Sequence, residues 1–519
     1  MSQASPDLLT LVRSAGARPA TRLSIGDESC DGGEFARRVE SLGAAMRAAG
    51  LRDGERIAVL LHRSVDEAAV LLATAAAGGV AVPIHGKLKD DQIRHVLQDC
   101  DPFLVVTSAT RLLALRDAAA TLAGRRVWRS GAEPVPVVSE SLPASDGTLP
   151  PTPPPPDSAA ALLYTSGSTG LQKGIVQDHR NLALGAAIVA DYLGLGAGDH
   201  VLGLLPFSFD YGLNQLLSAL HVGCRITAAD HLGAGELATL LRRVRPTGLA
   251  GVPSLWHEVA AGLQSGVLTP DDGTCLRYVT NSGGALRTAD SAVMRRHWPS
   301  VRVFAMYGLT EAFRSAFLPP EEFDRFAESF GRALPGVELL LVSPETGRVL
   351  EGPATGELVH AGALVARGYW RRPEETARRF RPDPRGTGGT VVFSGDIVRR
   401  DEGGRHWFVG RSDRLLKVNG HRVSPDEVAA AVAGTEDVGE VAVFGVDGGA
   451  AGHAIVLVVS GDEHDPELRE RVVRLCRTRL PSYMSPTIVR VVAAMPHNQN
   501  GKVDEGALRA MLGQCTDVT

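Results

Sequence analysis

Apolar and polar positions alternate with two different periods along the first half of the chain. Residues 64–77 and 90–98 have the pattern of helices, whereas residues 80–84 and 103–107 have that of strands. Strand-like segments continue to recur up to residue 306. Because helices that follow strands in this order cover sheets of parallel strands, the pattern predicts an α/β region.

The pattern changes twice in the second half. From about Val337 the predicted strands are short and separated by glycine and charged turns, which indicates a β-rich subdomain. After Gly410, helical and strand-like segments alternate again, as in a small α+β domain. We therefore predict an α/β fold whose large N-terminal region (residues 1–412) combines α/β-layered subdomains with a small β-rich subdomain. Residues 413–519 form the predicted small C-terminal domain.

Composition narrows the class of protein. A chain of 519 residues is too long for one core, and 44% apolar with 22% charged residues is ordinary for a globular protein. The net charge of -5, without a block of like charge, predicts no nucleic-acid partner. The six cysteines are scattered without a CxxC pair, which argues against a zinc site or a disulfide framework.

The expected location follows from two further patterns. The N-terminus lacks the basic and apolar regions of a signal peptide. The longest apolar run, residues 68–84, is interrupted by threonine, two glycines and proline, so it predicts a buried helix and a strand. We expect a cytoplasmic protein without membrane association.

Residues 164–174 contain the most informative local pattern, a run of three glycines and four hydroxyl residues that ends in Lys173-Gly174. Such a run offers backbone N–H groups and hydroxyls to a phosphate, but a Walker A loop would need serine or threonine after the lysine. By itself the run fits a phosphate cradle or a flexible surface loop. Lysine is rare here, at five of the 54 cationic residues, so its position favours a function for this compact charge.

A series of short motifs follows the glycine-rich run. They are YGLTE at 307–311, GELV at 356–359, RGYW at 367–370, SGD at 394–396, GRSD at 410–413, KVNGHR at 417–422 and NGK at 500–502. In this order and spacing, the series resembles the superfamily of adenylate-forming enzymes, which comprises acyl-CoA synthetases, amino-acid adenylation domains and luciferases. The resemblance extends from about residue 23 to residue 508 and is closest to free-standing adenylating enzymes.

The resemblance implies an ATP- and Mg²⁺-dependent reaction in which a carboxylate attacks the α-phosphate, pyrophosphate leaves, and the acyl group passes to a thiol. Glu311 would bind the magnesium ion and Thr310 would lie near the α-phosphate. A carboxylate that shares Mg²⁺ with phosphate oxygens is chemically sound. The residues implied for the β- and γ-phosphates are Thr165, Ser166, Ser168, Thr169 and Lys173.

Other matched positions would hold the nucleoside and drive the chemistry. Asp396 would accept both ribose hydroxyls, and Lys502 would bridge the attacking carboxylate and the α-phosphate. Asp413 matches the hinge about which the small domain rotates between the two half-reactions. The remaining nucleotide residues implied are Gly283, Gly284, Ala285, Tyr307 and Arg411. We expect Asp396 at the end of a strand.

The acid pocket is less clearly specified. Phe209-Asp210 matches amino-acid adenylation domains, in which the aspartate accepts the substrate ammonium, but Asp210 could instead cap a helix that starts near Tyr211. Ser282 and Arg314 are two further pocket candidates. Arg314 could bind a second carboxylate or pair with Asp210, and such a pair would weaken the argument for an amino group.

The predicted function is ATP-dependent activation of a small carboxylic acid, preferably an α- or β-amino acid. Because no carrier module follows Lys502, we expect the thiol to come from a separate phosphopantetheinyl carrier protein. The alternative is an acyl-CoA ligase that joins a non-amino acid to free coenzyme A. A catalytically inactive binding protein is disfavoured, because the phosphate, magnesium, ribose and lysine positions are all intact.

Overall fold

The computed structural model describes residues 7–86, 88, 90–113, 115, 117–131, 140–143, 147–166, 172–411, 416–418, 421–447, 453–480, 484–499 and 501–512.

The N-terminal elements begin with helix–strand alternation, as the sequence predicts. In chain order they are α1 (Leu8–Gly16), β1 (Arg22–Ile25), β2 (Glu28–Asp31), α2 (Gly32–Ala48), β3 (Arg56–Leu60), α3 (Val65–Ala76), β4 (Val80–Pro83), α4 (Asp90–Cys100), β5 (Leu104–Ser108), α5 (Ala109–Leu113), α6 (Ala118–Leu122), β6 (Val127–Ser130), β7 (Glu140–Ser141), β8 (Ala159–Ser166), β9 (Gln172–Asp178) and α7 (His179–Leu193).

The second group of elements continues the alternation. It contains β10 (His200–Gly203), α8 (Asp210–Val222), β11 (Arg225–Ala228), α9 (Ala234–Val244), β12 (Gly248–Gly251), α10 (Pro253–Ser265), β13 (Tyr278–Asn281), α11 (Thr288–His297), β14 (Arg302–Tyr307), β15 (Ala316–Leu318), α12 (Pro320–Phe326) and β16 (Arg332–Ala333). Short 3-10 turns span Pro270–Gly273 and Thr310–Ala312.

The remaining elements form the β-rich and C-terminal parts. They are β17 (Val337–Val342), β18 (Val349–Leu350), β19 (Ala354–Gly362), α13 (Pro373–Arg379), β20 (Phe380–Pro382), β21 (Thr390–Arg400), β22 (His406–Arg411), β23 (Leu416–Val418), β24 (His421–Val423), α14 (Pro425–Ala430), β25 (Val441–Asp447), β26 (His453–Ser460), α15 (Pro466–Arg479), β27 (Ile488–Val492) and α16 (Glu505–Leu512).

Two large sheets dominate the N-terminal region. Within the described residues, one has the strand order β7-β6-β5-β3-β4-β8-β9, and its strands are parallel except for the β8–β9 hairpin. The other has the order β16-β15-β14-β13-β12-β10-β11-β1-β2, with antiparallel pairs only towards its two edges. The predicted parallel, helix-covered sheets are present.

A continuous apolar core joins the two sheets. It contains buried residues of α1, α2, α3, α7 and α8 together with strands from both sheets. Every residue of α3 except Asp66 is buried, including Glu67, which explains why its sequence is apolar almost all around the helix. Burial of both sheets against shared helices makes the region a stable support for the loops at the strand ends.

The β-rich and C-terminal parts complete the fold. Antiparallel strands in the order β18-β17-β19-β21-β20, with β22 paired to β21, form the β-rich sheet. Beyond it lie the β23–β24 hairpin and a separate three-stranded sheet, β25-β26-β27, packed against α15. None of the helices in the described ranges is long and apolar enough to cross a membrane.

Candidate active site

The glycine-rich run begins and ends in an antiparallel hairpin. Thr165 on β8 lies opposite Lys173 on β9, and Ser166 lies opposite Gln172. The side chain of Ser166 and the connecting residues 167–171, which include Ser168 and Thr169, lie outside the described part of the chain. The hairpin therefore fixes the two ends of the predicted phosphate loop.

Lys173 points towards α13. Its ammonium group pairs with the carboxylate of Glu375 and lies 5.8 Å from the centre of the Tyr369 ring. The chain around Tyr369 is tied to β9 by backbone hydrogen bonds, including one of 2.8 Å from the Trp370 N–H to the Gly174 carbonyl. Lys173 is thus held against the RGYW segment.

Glu311 contacts the same tyrosine. The Tyr369 hydroxyl donates a 2.7 Å hydrogen bond to Glu311 Oε1. The Glu311 carbonyl accepts a 2.8 Å hydrogen bond from the Ala366 N–H. Because Lys173 and Glu311 share Tyr369 as a neighbour, the structure brings together a cation and a carboxylate that are 138 positions apart in sequence.

Tyr307 and Asp396 form the centre of the predicted nucleoside site. The Tyr307 hydroxyl donates a hydrogen bond to Asp396, and Arg411 Nη1 donates a 2.8 Å hydrogen bond to the other carboxylate oxygen. The expected place of Asp396 at a strand end is wrong. It lies inside β21, directly opposite Arg411 on β22, and paired residues of antiparallel strands have their side chains on the same face of the sheet.

The ring of Tyr307 is stacked with two other rings. Its ring lies 4.3 Å from that of Phe330 and 5.8 Å from that of His360, both nearly parallel to it. Burial, assisted by the charge of Asp396, raises the pKa of the Tyr307 hydroxyl well above its usual value. Burial lowers the pKa of His360 to about 3, so this imidazole is neutral.

The strand residue next to Asp396 is a glycine with an unusual backbone conformation. Gly395 has φ +74°, and a Cβ there would lie 2.6 Å from a guanidinium nitrogen of Arg379. Its N–H donates a 3.0 Å hydrogen bond to Glu357. Glycine at this position therefore combines a left-handed backbone with close approach of an arginine.

Gly283, Gly284 and Ala285 follow β13 in a loop. Asn281 Nδ2 donates a 2.8 Å hydrogen bond to the Gly284 carbonyl and holds the loop in shape. Gly283 has φ +83°, and a Cβ there would lie 3.8 Å from Lys502 Cε. The C-terminal lysine and the predicted adenine loop are therefore neighbours.

The C-terminal part reaches this position through contacts with the N-terminal region. Arg287 Nη1 donates a 2.7 Å hydrogen bond to the Gly439 carbonyl. Gly501, with φ +72°, packs so closely that a Cβ would lie 2.8 Å from Ser254 Oγ. Lys502 is exposed and follows directly. These contacts place the lysine at the mouth of the site.

Asp210 and Thr310 are joined in the predicted acid pocket. Thr310 Oγ1 donates a 2.8 Å hydrogen bond to Asp210 Oδ2, and the Thr310 carbonyl accepts one of 2.6 Å from Gln177. Asp210 is the first residue of α8, and the residue at the cap position, Phe209, makes no side-chain capping bond. The helix-cap alternative for Asp210 is therefore wrong.

Arg314 lies beside this carboxylate. Its Nη1 is 3.8 Å from Asp210 Oδ1, and the exposed fractions of the two side chains are only 4% and 5%. This separation is an ion-pair contact but is too long for a hydrogen bond. Of the two alternatives for Arg314, contact with Asp210 is present in this structure.

Phe209 and Ser282 complete the predicted pocket residues. Phe209 packs edge-on against Tyr211, with ring centres 6.1 Å apart, and its ring tip is 4.0 Å from the Cβ position of Gly283. Ser282 is buried, and its N–H donates a 3.3 Å hydrogen bond to the Gly251 carbonyl. Phe209 thus lies between Asp210 and the Gly283 loop, whereas Ser282 directly precedes that loop in the chain.

The known proteins to which the chain is similar decide its family. Residues 12–370 match the family described as AMP-binding enzyme, and residues 427–502 match the AMP-binding enzyme C-terminal domain. The chain belongs to the AMP-binding enzyme family. The sequence-based resemblance to adenylate-forming enzymes is confirmed, and this member is an AMP-forming acid–thiol ligase that binds ATP.

Individual relatives cover the whole chain. The L-proline–[L-prolyl-carrier protein] ligase of Streptomyces coelicolor is 31% identical, over 97% of this AMP-binding enzyme and 96% of the relative. The phenyloxazoline synthase MbtB of a Mycobacterium species is 30% identical over 92% of this chain, which spans only 39% of that longer protein.

Solved structures agree with the predicted fold class. ATP-bound MatB from Rhodopseudomonas palustris has a TM-score of 0.85 at 27% identity and covers 98% of this AMP-binding enzyme and 99% of its own chain. An anthranilate CoA ligase with bound anthranoyl-AMP has a TM-score of 0.87 at 22% identity, over 100% and 99% of the two chains. The large N-terminal and small C-terminal α/β architecture is confirmed.

Several residues at the site were not predicted to have a role. They are Gln177, Glu357, Phe330, His360, Tyr369 and Glu375. Tyr369 stands in the RGYW motif, so its position could have been inferred. Glu375 has no such indication, because an acidic residue in a charged helix resembles any surface residue. The predicted hinge residue Asp413 lies outside the described residues.

Proposed function

We propose that this ligase activates an amino acid as its adenylate and transfers it to the phosphopantetheine thiol of a separate carrier protein. The observation that supports the amino group is the buried carboxylate of Asp210. Thr310 donates to one oxygen, and no described residue donates a hydrogen bond to the other. A substrate ammonium would supply a charged donor to that oxygen. The similarity to a prolyl-carrier protein ligase supports the acceptor.

In the proposed adenylation step, Lys173 and the preceding loop bind the β- and γ-phosphates. Glu311 would hold Mg²⁺, which would supply positive charge to neutralise the leaving pyrophosphate. The residues present fit this ion, because Mg²⁺ is usually held by one or two carboxylates and by phosphates. Tyr369 donates to one oxygen of Glu311 and so orients its carboxylate.

Lys502 and Asp396 have separate proposed roles. Asp396 accepts the ribose hydroxyls, with Arg411 and Tyr307 holding its two oxygens in position. Lys502, next to Gly283, screens the repulsion between the attacking carboxylate and the α-phosphate. A lysine suits this role because its ammonium is a compact charge.

The two half-reactions would use two arrangements of the proposed domains, 1–412 and 413–519. In the arrangement of this structure, Lys502 lies next to Gly283 and Arg287 contacts Gly439. Rotation about Asp413 would withdraw Lys502 and admit the pantetheine thiol. The thiolate then attacks the acyl carbon, a thioester bond forms, and AMP leaves with the electron pair of the acyl–phosphate bond.

ATP–pyrophosphate exchange tests the substrate class. The panel pairs each amino acid with the carboxylic acid that lacks its amino group, and we expect exchange only with the amino acids. Asp210→Asn should remove most of this exchange while the helix is preserved. Exchange restricted to the acids without an amino group would contradict the proposal.

A second function, acyl-CoA formation from a non-amino acid, is favoured by one observation. Arg314 already contacts Asp210, so the pocket is electrically balanced without a substrate cation. Thioester formation with coenzyme A and with a phosphopantetheinylated carrier protein, measured with the same acid, separates the two acceptors. Faster transfer to the carrier protein is expected.

A further inference from the structure

Arg314 is a buried cation whose hydrogen bonds are incomplete. Its side chain is 4% exposed, and Nη1 donates a 3.0 Å hydrogen bond to the Phe313 carbonyl. Nε and Nη2 have no hydrogen-bond partner among the described residues. Buried charged donors without partners are costly, so the protein has reason to keep them only if a ligand completes them.

The position of Arg314 places these donors in the acid pocket. The guanidinium carbon is 4.9 Å from the centre of the Tyr211 ring, and Nη1 is 3.8 Å from Asp210. A Cβ at Gly308 would lie 3.5 Å from the same nitrogen, so the YGLTE motif passes directly beside the guanidinium. The unsatisfied donors thus lie between α8 and the segment that carries Thr310.

A further residue with an unsatisfied donor lies on α8, the helix that begins at Asp210. Asn214 is buried one helical turn after Asp210, and its Nδ2 has no described hydrogen-bond partner. The Cβ position of Gly185 is 3.7 Å from this nitrogen and 2.5 Å from Phe313, the neighbour of Arg314. Together with Nε and Nη2 of Arg314, this makes three donors without a described partner, and a ligand with acceptor atoms would match them.

The charges of the pocket further restrict the chemical class of the ligand. When an amino acid is bound as proposed, its reacting carboxylate faces Lys502 and ATP, and its ammonium faces Asp210. Arg314 is then a buried positive charge without compensation, which is unfavourable. A second carboxylate on the substrate restores neutrality, and a planar guanidinium can bind it through two parallel hydrogen bonds from Nε and Nη2. An apolar side chain offers neither a negative charge nor hydrogen-bond acceptors.

We propose that Arg314 is a specificity-determining residue that binds a side-chain carboxylate, so that the substrate is an acidic amino acid. This inference rests on the proposed amino-acid function and refines it. The ammonium takes the place of Arg314 as the partner of Asp210, while the guanidinium turns its Nε–Nη2 edge to the substrate.

The test is pyrophosphate exchange by the full chain with three matched sets. Aspartate and glutamate carry the second carboxylate, asparagine and glutamine replace it with a neutral amide, and norvaline and proline lack it. We expect kcat/KM for the better acidic amino acid to exceed that for its amide at least ~10-fold. Arg314→Met should reduce this ratio to near one, and Arg314→Lys should retain part of it.

Two controls exclude a general loss of structure. Arg295→Met removes a guanidinium from α11, remote from the pocket, where it pairs with Asp324, and should leave the ratio unchanged. For Arg314→Met, an ATP-induced rise in Tm equal to that of the unaltered chain shows that the nucleotide site is intact.

The possible outcomes test the role of Arg314 and the amino-acid function separately. Equal or better exchange with norvaline or proline would overturn the role of Arg314 and leave amino-acid activation standing. Exchange with succinate and glutarate but not with aspartate or glutamate would overturn the amino-acid function itself. If the ratio of kcat/KM between the acidic amino acid and its amide is unchanged in Arg314→Met, another residue binds the side-chain carboxylate.

Discussion

The ammonium group of Lys173 is paired with the carboxylate of Glu375 on α13. This contact joins the end of the phosphate loop to a helix that sequence reasoning did not connect with the site. Since the β- and γ-phosphates would need the same ammonium, nucleotide binding has to compete with Glu375. The pair thus keeps a partly buried lysine compensated while the phosphates are absent.

Replacement of Glu375 tests this competition. Glu375→Gln removes the competing charge, so we expect KM for ATP to fall about 2- to 5-fold with kcat little changed, as for a partly screened ion pair. Lys173→Ala, the matched change, should raise KM for ATP. Pyrophosphate exchange at varied ATP measures both. A higher KM in Glu375→Gln would instead show that the carboxylate positions the lysine.

Lys502 should serve only the first half-reaction. Lys502→Ala should lower pyrophosphate exchange by at least ~100-fold, because it removes charge stabilisation from the transition state. Thioester formation from chemically supplied adenylate should persist, since the proposed rotation would withdraw the lysine in that step. Lys417→Ala, a lysine of the KVNGHR segment, is the control for exchange. Equal loss of both half-reactions would argue against the two arrangements.

The role of Asp396 can be separated from general damage by using nucleotide analogues. The unaltered enzyme should prefer ATP over 2′-deoxy- and 3′-deoxy-ATP, because each analogue lacks one donor to the carboxylate. Asp396→Ala should weaken ATP binding and remove most of this preference. Tyr307→Phe keeps the ring stack and removes one hydrogen bond to Asp396, so a smaller effect is expected. Undiminished preference in Asp396→Ala would place the ribose elsewhere.

Glu311 should determine the requirement for magnesium. Glu311→Gln keeps the size of the side chain but removes its charge, and we expect the Mg²⁺ concentration for half-maximal exchange to rise roughly 10-fold. Tyr369→Phe, which removes the hydrogen bond to Oε1, should shift it less in the same direction. A Mg²⁺ titration at saturating ATP measures this. Unchanged Mg²⁺ dependence in Glu311→Gln would assign the ion to other ligands.

The buried carboxyl of Glu67 should make stability depend on pH. Burial raises its pKa from 4.5 to about 8, although Arg63 opposes the shift and Asp230 adds to it. Between these values the folded state binds more protons than the unfolded state, so stability falls as pH rises through this window. Below pH 4.5 the contribution is fully present, and above pH 8 it is lost.

Glu67→Gln should remove this dependence because it has no proton to lose. Relative to the unaltered chain, its free energy of unfolding should gain about 2 kcal/mol between pH 6 and pH 8. Urea unfolding at the two pH values measures the change, and Glu402→Gln in an exposed turn is the control. Identical pH dependence in all three proteins would mean that Arg63 keeps Glu67 ionised.

Sequence reasoning succeeded where several independent patterns agreed. The helix at residues 64–77 and the strand at 80–84 correspond to α3 and β4, because both are buried and apolar. The order of the short motifs led to the correct family. The motifs could do this because each contains residue types that the chemistry needs, such as the lysine and carboxylate for phosphates and magnesium.

Sequence reasoning failed where contacts between distant parts of the chain determine the role of a residue. The charged segment after Asp396 suggested a strand end, but the strand continues through a bulge and pairs Asp396 with Arg411. The capping propensity of aspartate was overridden at Asp210, because Thr310 from a distant turn binds its carboxylate. The partner of Lys173 is 202 positions away, and no local pattern specifies such a pair.

The ring of His360 beneath Tyr307 has one further consequence. With a pKa of about 3 it carries no charge at any pH at which the enzyme would be assayed. His406, stacked on the other face of Phe330 and also buried, has a lowered pKa as well. The His360 ring stacked near Tyr307 therefore contributes no charge to the predicted nucleoside site. A change of rate between pH 6 and pH 9 will therefore not originate from the protonation of His360.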